Sequence, residues 1–142
     1  MIKKMILRAA QLARLPIEQD LIINIAFVGD RTMKKINEDF VGHEGTTDVI
    51  TFCYLEDEEP LFEGDIAVDL FICVDFAERE GAQRKDSNYA RELTLYIVHG
   101  LLHSSGEDDL APVSRKRMRR REREVMSVLE NEFELEEIFL NN

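Results

Sequence analysis

The stretch YARELTLYIVHGLLHSSGEDDL, residues 89–110, decides how this chain folds. Its middle, TLYIVHGLL, is apolar almost all the way round, which marks a helix buried on every side. Asn88 can cap that helix at its start, and Gly106 can end it in a left-handed turn. Two of the three histidines, His99 and His103, lie on it four residues apart. Side chains four apart on a helix stand one above the other, so both imidazoles can reach one point in space. Lodged in an apolar helix, they need hydrogen-bonding partners or a metal ion.

Upstream, the sequence predicts strands. LIINIAFV, residues 21–28, is a short, nearly continuous apolar run rich in β-branched residues. DVITFCYL, residues 48–55, is a second such run, opened by the loop VGHEGTT. IAVDLFICV, residues 66–74, has few polar interruptions and is expected at the centre of the sheet. Between the first two strands, RTMKKINEDF sets Met33, Ile36, Asn37 and Phe40 at the three-four spacing of a short amphipathic helix. The acidic EDEEPLFEG, residues 56–64, reads as a loop joining strands two and three.

Further helices are expected at residues 3–13, ending before Pro16, at DFAEREGAQR, and from Pro112 onward, where Met118, Val125, Leu129 and Phe133 form a packing stripe. Helices, then strands, then helices make an α+β domain: a small mixed β-sheet covered by helices, with the histidines on a buried central helix. The 142 residues fit one domain spanning 1–142.

Composition narrows the function. At 44% hydrophobic and 33% charged, with no low-complexity tract, the chain is globular. Its N-terminal segment is interrupted by Arg8, Gln11 and Arg14, so it resembles neither a signal peptide nor a membrane span. Cys53 and Cys73 sit in apolar runs without a paired spacing and read as reduced thiols, which suits the cytoplasm. A net charge of −11 argues against nucleic acid, but RKRMRRRER at 115–123 gathers seven of the eighteen basic residues. A local basic face can coexist with an acidic total.

Beyond Gly106 the chain can fold back, and Asp109 can approach the two histidines from another direction. Two imidazoles and a carboxylate form a zinc ligand set that leaves a fourth position open for water or substrate. The expected cofactor is one divalent metal ion, zinc, held by His99, His103 and Asp109. His43, in a glycine-flanked loop, is an alternative ligand, and a solvated turn residue in the blander reading.

The same spacing occurs in metzincin peptidases, whose H-E-x-x-H places a glutamate general base after the first histidine. Here that position is Gly100, so the water-activating carboxylate is missing. The run His99-Gly100-Leu101-Leu102-His103-Ser104-Ser105-Gly106-Glu107-Asp108-Asp109 instead resembles the H-G-x-L-H-x-x-G-Y-D-H motif of the YbeY-type metal-dependent endoribonucleases. INEDFVGHEGTTDVITF, residues 36–52, is similar to that family's L-N-x-x-F-R-x-x-x-x-x-T-D-V-L-S-F element, and Gly64-Asp65-Ile66 to its G-D-I strand start. Three departures stand out: Asp109 replaces the third histidine, Glu107 the tyrosine, and Val41 the arginine that in the family is implicated in activity.

The resemblance implies hydrolytic, single-strand-specific cleavage of RNA in ribosomal RNA maturation and ribosome quality control, with ribosomal RNA and small-subunit ribosomal proteins as partners and no membrane. On that reading Glu107 or Asp108 relays a proton, and Thr47 and Asp48, at the mouth of the second strand, lie near the metal and contact substrate. Their blander role, like that of Asp65, is turn formation. Arg115 and Arg119 represent the basic run as phosphate contacts, against the alternative of a solvated helix face. No aromatic stacking platform is evident, since Phe52, Tyr54, Phe71 and Tyr96 read as core. Two rival functions remain: a zinc hydrolase of a peptide or amide, and a ribosome-associated binding protein whose metal is structural.

Overall fold

The computed structural model describes residues 1–16, 20–55 and 59–140. Helix α1 (Ile2–Leu12) leads to strand β1 (Ile22–Val28) and helix α2 (Asp30–Ile36), which widens into a π-helical turn at Asn37–Val41. Strands β2 (Val49–Cys53) and β3 (Ile66–Cys73) follow, then α3 (Val74–Gln83), α4 (Tyr89–Ser104), α5 (Pro112–Glu132) and the short α6 (Leu135–Ile138). The elements match the expected order. The π turn and α6 lie beyond what the residue pattern signalled, and the acidic segment 56–58 and the terminal pair 141–142 fall outside the described residues.

The sheet order is β1-β3-β2, so β3 is central, as its apolar run predicted. It pairs in parallel with β1 and antiparallel with β2, which makes the sheet mixed. Val68, Leu70 and Ile72 point from β3 into the main core and have no exposed surface. On the opposite face, Cys73 joins Met33 and Ile50 in a smaller cluster under α2.

Helix α4 is the axis of the molecule. Leu93, Ile97, Val98, Leu101 and Leu102 are each at most 1% exposed, packed between the sheet on one side and α1 and α5 on the other. Each such side chain contributes roughly 1.5–3 kcal/mol of burial free energy. Asn88 caps the helix as expected, its Oδ1 accepting the Arg91 N–H at 2.9 Å.

Gly100 fixes how closely that helix can lie on the sheet. A Cβ there would meet Leu70 Cδ2 at 2.7 Å and Thr51 Oγ1 at 3.0 Å. The residue that lacks a peptidase's carboxylate is therefore also a point of close approach between helix and sheet, where an added side chain would displace Leu70.

Candidate metal centre

His99 and His103 emerge side by side from α4, with their Nε2 atoms 3.0 Å apart and their rings nearly perpendicular at 75°. Gly106, at φ +107°, ends the helix in the left-handed turn that its sequence position suggested. The Gly106 N–H bonds to His103 O at 3.1 Å and the Glu107 N–H to Leu102 O at 3.0 Å, closing the helix end. The chain thus doubles back, and Asp109 brings its carboxylate to the histidines: one ligand atom from each of His99, His103 and Asp109 lies within 4.8 Å of the others.

This donor set fits a divalent ion. Tetrahedral zinc at 2.0–2.1 Å from nitrogen spaces its ligand atoms about 3.3 Å apart, a separation that small side-chain adjustments reach from the spacing seen here. The donors are two imidazoles and a carboxylate, three in number, so a coordinated ion would keep a position for water or substrate.

A residue that sequence reasoning did not assign to the site completes it. Glu122, on α5, accepts a short hydrogen bond from Nδ1 of His99 and is itself largely withdrawn from solvent. A carboxylate behind a ligating imidazole fixes its tautomer, aims the other nitrogen at the ion and raises ligand basicity. In the sequence Glu122 stands inside the basic run at 115–123. Its position does carry one signal: it is four residues past Met118 and three before Val125, on the buried stripe of α5.

Electrostatics splits the two histidines. Burial disfavours a charge on His99, but the Glu122 hydrogen bond and the charges of Glu122, Asp48 and Asp109 outweigh it and hold the imidazole above its ordinary range. His103 goes the other way, pushed down by burial and by the charge of His99 beside it.

The histidines form one wall of a cleft of about 700 Å³ that runs along the free edge of β2. Thr47 and Asp48 line it, as do Val41 of the π turn and His43 of the loop after it. The turn-forming role of Thr47 and Asp48 is visible in the contacts, since Asp48 Oδ1 accepts the Val49 N–H at 2.8 Å and the Thr47 hydroxyl at 3.2 Å. Buried Asn37 braces the loop, donating from Nδ2 to Gly45 O at 2.9 Å. Cys53, half-buried, lines the same cleft, and Cys73 is fully buried; neither forms a disulfide. Asp65 lies elsewhere, accepting the Phe62 N–H at 2.8 Å in a turn.

The other acids of the metal loop have partners of their own. Glu107 pairs with Arg117 at 2.8 Å. Asp108 Oδ1 accepts the Leu110 N–H at 3.0 Å, and its hydrogen bonds with Ser114 and Leu110 hold its carboxyl below the usual range. Along α5, Arg121 donates to Leu12 O at 2.7 Å and pairs with Glu124, whereas Arg115, Lys116, Arg119, Arg120 and Arg123 are exposed and form no ion pair among the described residues. Arg119 and Arg115 stand three and seven residues before Glu122, on the stripe that leads to His99.

Known proteins resemble this chain. The family profile described as Endoribonuclease YbeY matches residues 1–130. The chain belongs to the YbeY endoribonuclease family. A relative from Elusimicrobium minutum, named Endoribonuclease YbeY, is 38% identical over 96 residues, covering 68% of this chain and 66% of its own. One of the same name from Anaeromyxobacter is 38% identical over 117 residues, covering 82% of this chain and 58% of its own, so the chain spans less than two thirds of the length of either. The Endoribonuclease YbeY of Symbiobacterium thermophilum is 31% identical over 137 residues, or 91% of this chain and 85% of that one. The solution structure of TM1509 from Thermotoga maritima superposes with a TM-score of 0.62 over 92% of this chain and 82% of that one, at 23% identity, which shows a common fold. No helix among the described residues is long and apolar enough to cross a membrane.

Proposed function

We propose that residues 1–142 act as one unit, a zinc-dependent endoribonuclease that hydrolyses single-stranded RNA in ribosomal RNA maturation and ribosome quality control in the cytoplasm. The observation that carries this reading is the convergence of His99, His103 and Asp109 at the wall of an open cleft in a chain of the YbeY endoribonuclease family. A bound zinc would supply Lewis acidity toward a phosphoryl oxygen and a water of lowered pKa.

The chain's own residues do the rest. Glu122 orients His99, and Thr47 and Asp48 face the substrate across the cleft. Arg115 and Arg119 supply exposed cations for the phosphates of an RNA strand beside the metal loop. Glu107 or Asp108 relays a proton, each by releasing its present partner, Arg117 for the first and the Leu110 N–H for the second. A peptidase mechanism is disfavoured because position 100 is glycine, pressed against Leu70 and Thr51, and supplies no general-base carboxylate. Small-subunit ribosomal proteins are the partners that this role in ribosome maturation would require.

The test pairs elemental analysis of the purified protein with cleavage of end-labelled single-stranded RNA and of a peptide library. RNA cleavage that is lost on chelation and in His103→Ala supports the reading. A protein that neither contains nor takes up zinc, or that cuts peptides and leaves RNA intact, overturns it.

A further inference from the structure

Phe40 is held out in solvent at the rim of the cleft. The three-four spacing of RTMKKINEDF marks it for burial alongside Met33, yet Met33 has no exposed surface and the Phe40 ring is 72% exposed. The π turn is the reason. The Gly42 N–H bonds to Asn37 O, five residues back, at 2.9 Å, so the turn holds one residue more than an α-helical turn and rotates Phe40 out of the stripe. Such π turns are rare and occur frequently at functional sites.

The exposed ring is nevertheless positioned. Phe52 meets it edge to face at 6.4 Å and 87°, and Phe71 supports Phe52 in the same way at 6.0 Å and 86°. Asn37 and Val41, which belong to the same turn as Phe40, line the cleft together with His99 and His103. Within that turn only Phe40 and Val41 are exposed large hydrophobics, far short of the several hundred Å² expected of a protein-docking patch. One fixed aromatic face continuous with a cleft suits one planar ligand group.

Resting on the RNA-cleaving reading above, we propose that Phe40 is the platform on which an unpaired base of the substrate stacks beside the cleft. Bases in a duplex are already stacked on one another, whereas those of a single strand are free to lie on an aromatic side chain. A stacking platform thus favours single strands without reading their sequence.

The test uses the metal-free protein, so that binding is read without cleavage, with a short oligouridylate and its abasic counterpart as probes. Base–aromatic stacking of 1–3 kcal/mol corresponds to a loss of affinity of about 5- to 150-fold, expected for the oligouridylate in both Phe40→Ala and Phe40→Leu. Affinity for the abasic strand should not change. Because the chain contains no tryptophan, Phe40→Trp introduces a unique fluorophore, which oligouridylate should quench and the abasic strand should not. Equal oligouridylate affinity in the parent, Phe40→Ala and Phe40→Leu proteins, with unchanged thermal stability, overturns the inference and leaves the RNA reading intact. Loss of self-association in Phe40→Ala with RNA binding retained overturns it in favour of a protein contact. If the parent, metal-free and zinc-loaded alike, binds neither strand at low salt, the RNA reading falls and the inference falls with it.

Discussion

Glu122 of α5 is hydrogen-bonded to Nδ1 of His99 on α4, 23 residues earlier in the chain. This contact joins the last long helix to the candidate metal ligands, and it sets the first expectation. Glu122→Gln should leave the fold intact and weaken zinc affinity by about 10- to 100-fold, the usual consequence of losing a carboxylate behind a ligating histidine. Titration against a competing chelator measures it, and unchanged affinity would remove Glu122 from the site.

Asp109 is the exposed member of the candidate ligand trio and comes from a loop. Asp109→Ala should lower the zinc content of the purified protein while its thermal stability holds. Asp109→His should restore the content, since imidazole is an equally competent ligand. Elemental analysis of the three proteins side by side decides the matter.

Gly100 is a packing constraint. Gly100→Ala should cost about 1–3 kcal/mol through overpacking against Leu70, seen as a Tm lower by several degrees. Shortening Leu70 to alanine in the same protein should make the two costs less than additive, because the second change removes the atoms that the first one strikes. Strict additivity in urea unfolding would mean that the helix does not lie where described.

Arg115 and Arg119 are exposed and form no ion pair among the described residues, so replacing them should leave Tm unchanged. If each meets one phosphate, Arg115→Gln and Arg119→Gln should each reduce the slope of log affinity for single-stranded RNA against log salt by about 0.7. A slope equal to the parent's would return the run to the status of a solvated helix face.

Asp30 carries a pH dependence. Its hydrogen bonds with Arg79, at 2.5 and 3.0 Å, hold its carboxyl below the ordinary value of 3.8. A depressed folded-state pKa contributes stability that is present above the unfolded value and lost as pH falls through the folded one. The destabilisation caused by Arg79→Met should accordingly be present near neutral pH and fade as pH falls below 3.8. Both side chains are well exposed, so the effect should be small and should shrink with added salt. Urea unfolding of both proteins across that range reads it.

Much of this molecule is legible in its residues. The buried character of α4, the central place of β3, the Asn88 cap, the Gly106 turn and the candidate ligand trio follow from periodicity, turn chemistry and spacing, all of which act over a few residues. Phe40 broke that logic, because a turn that takes on one extra residue shifts every face after it, and nothing in N-E-D-F-V announces the insertion. Glu122 stayed hidden for a different reason: among seven cations it reads as a neutralising charge until α5 is laid against α4.

By itself the sequence determined what each segment had to be and which groups could bind an ion, since helix and strand periods and ligand spacing are local properties. Only the tertiary structure decided which carboxylate stands behind His99, that Gly100 is a point of close approach between helix and sheet, and that an aromatic ring is left standing at the rim of the cleft. Those depend on contacts between residues far apart in the chain, and packing geometry selects them from many pairings that the local pattern permits equally well.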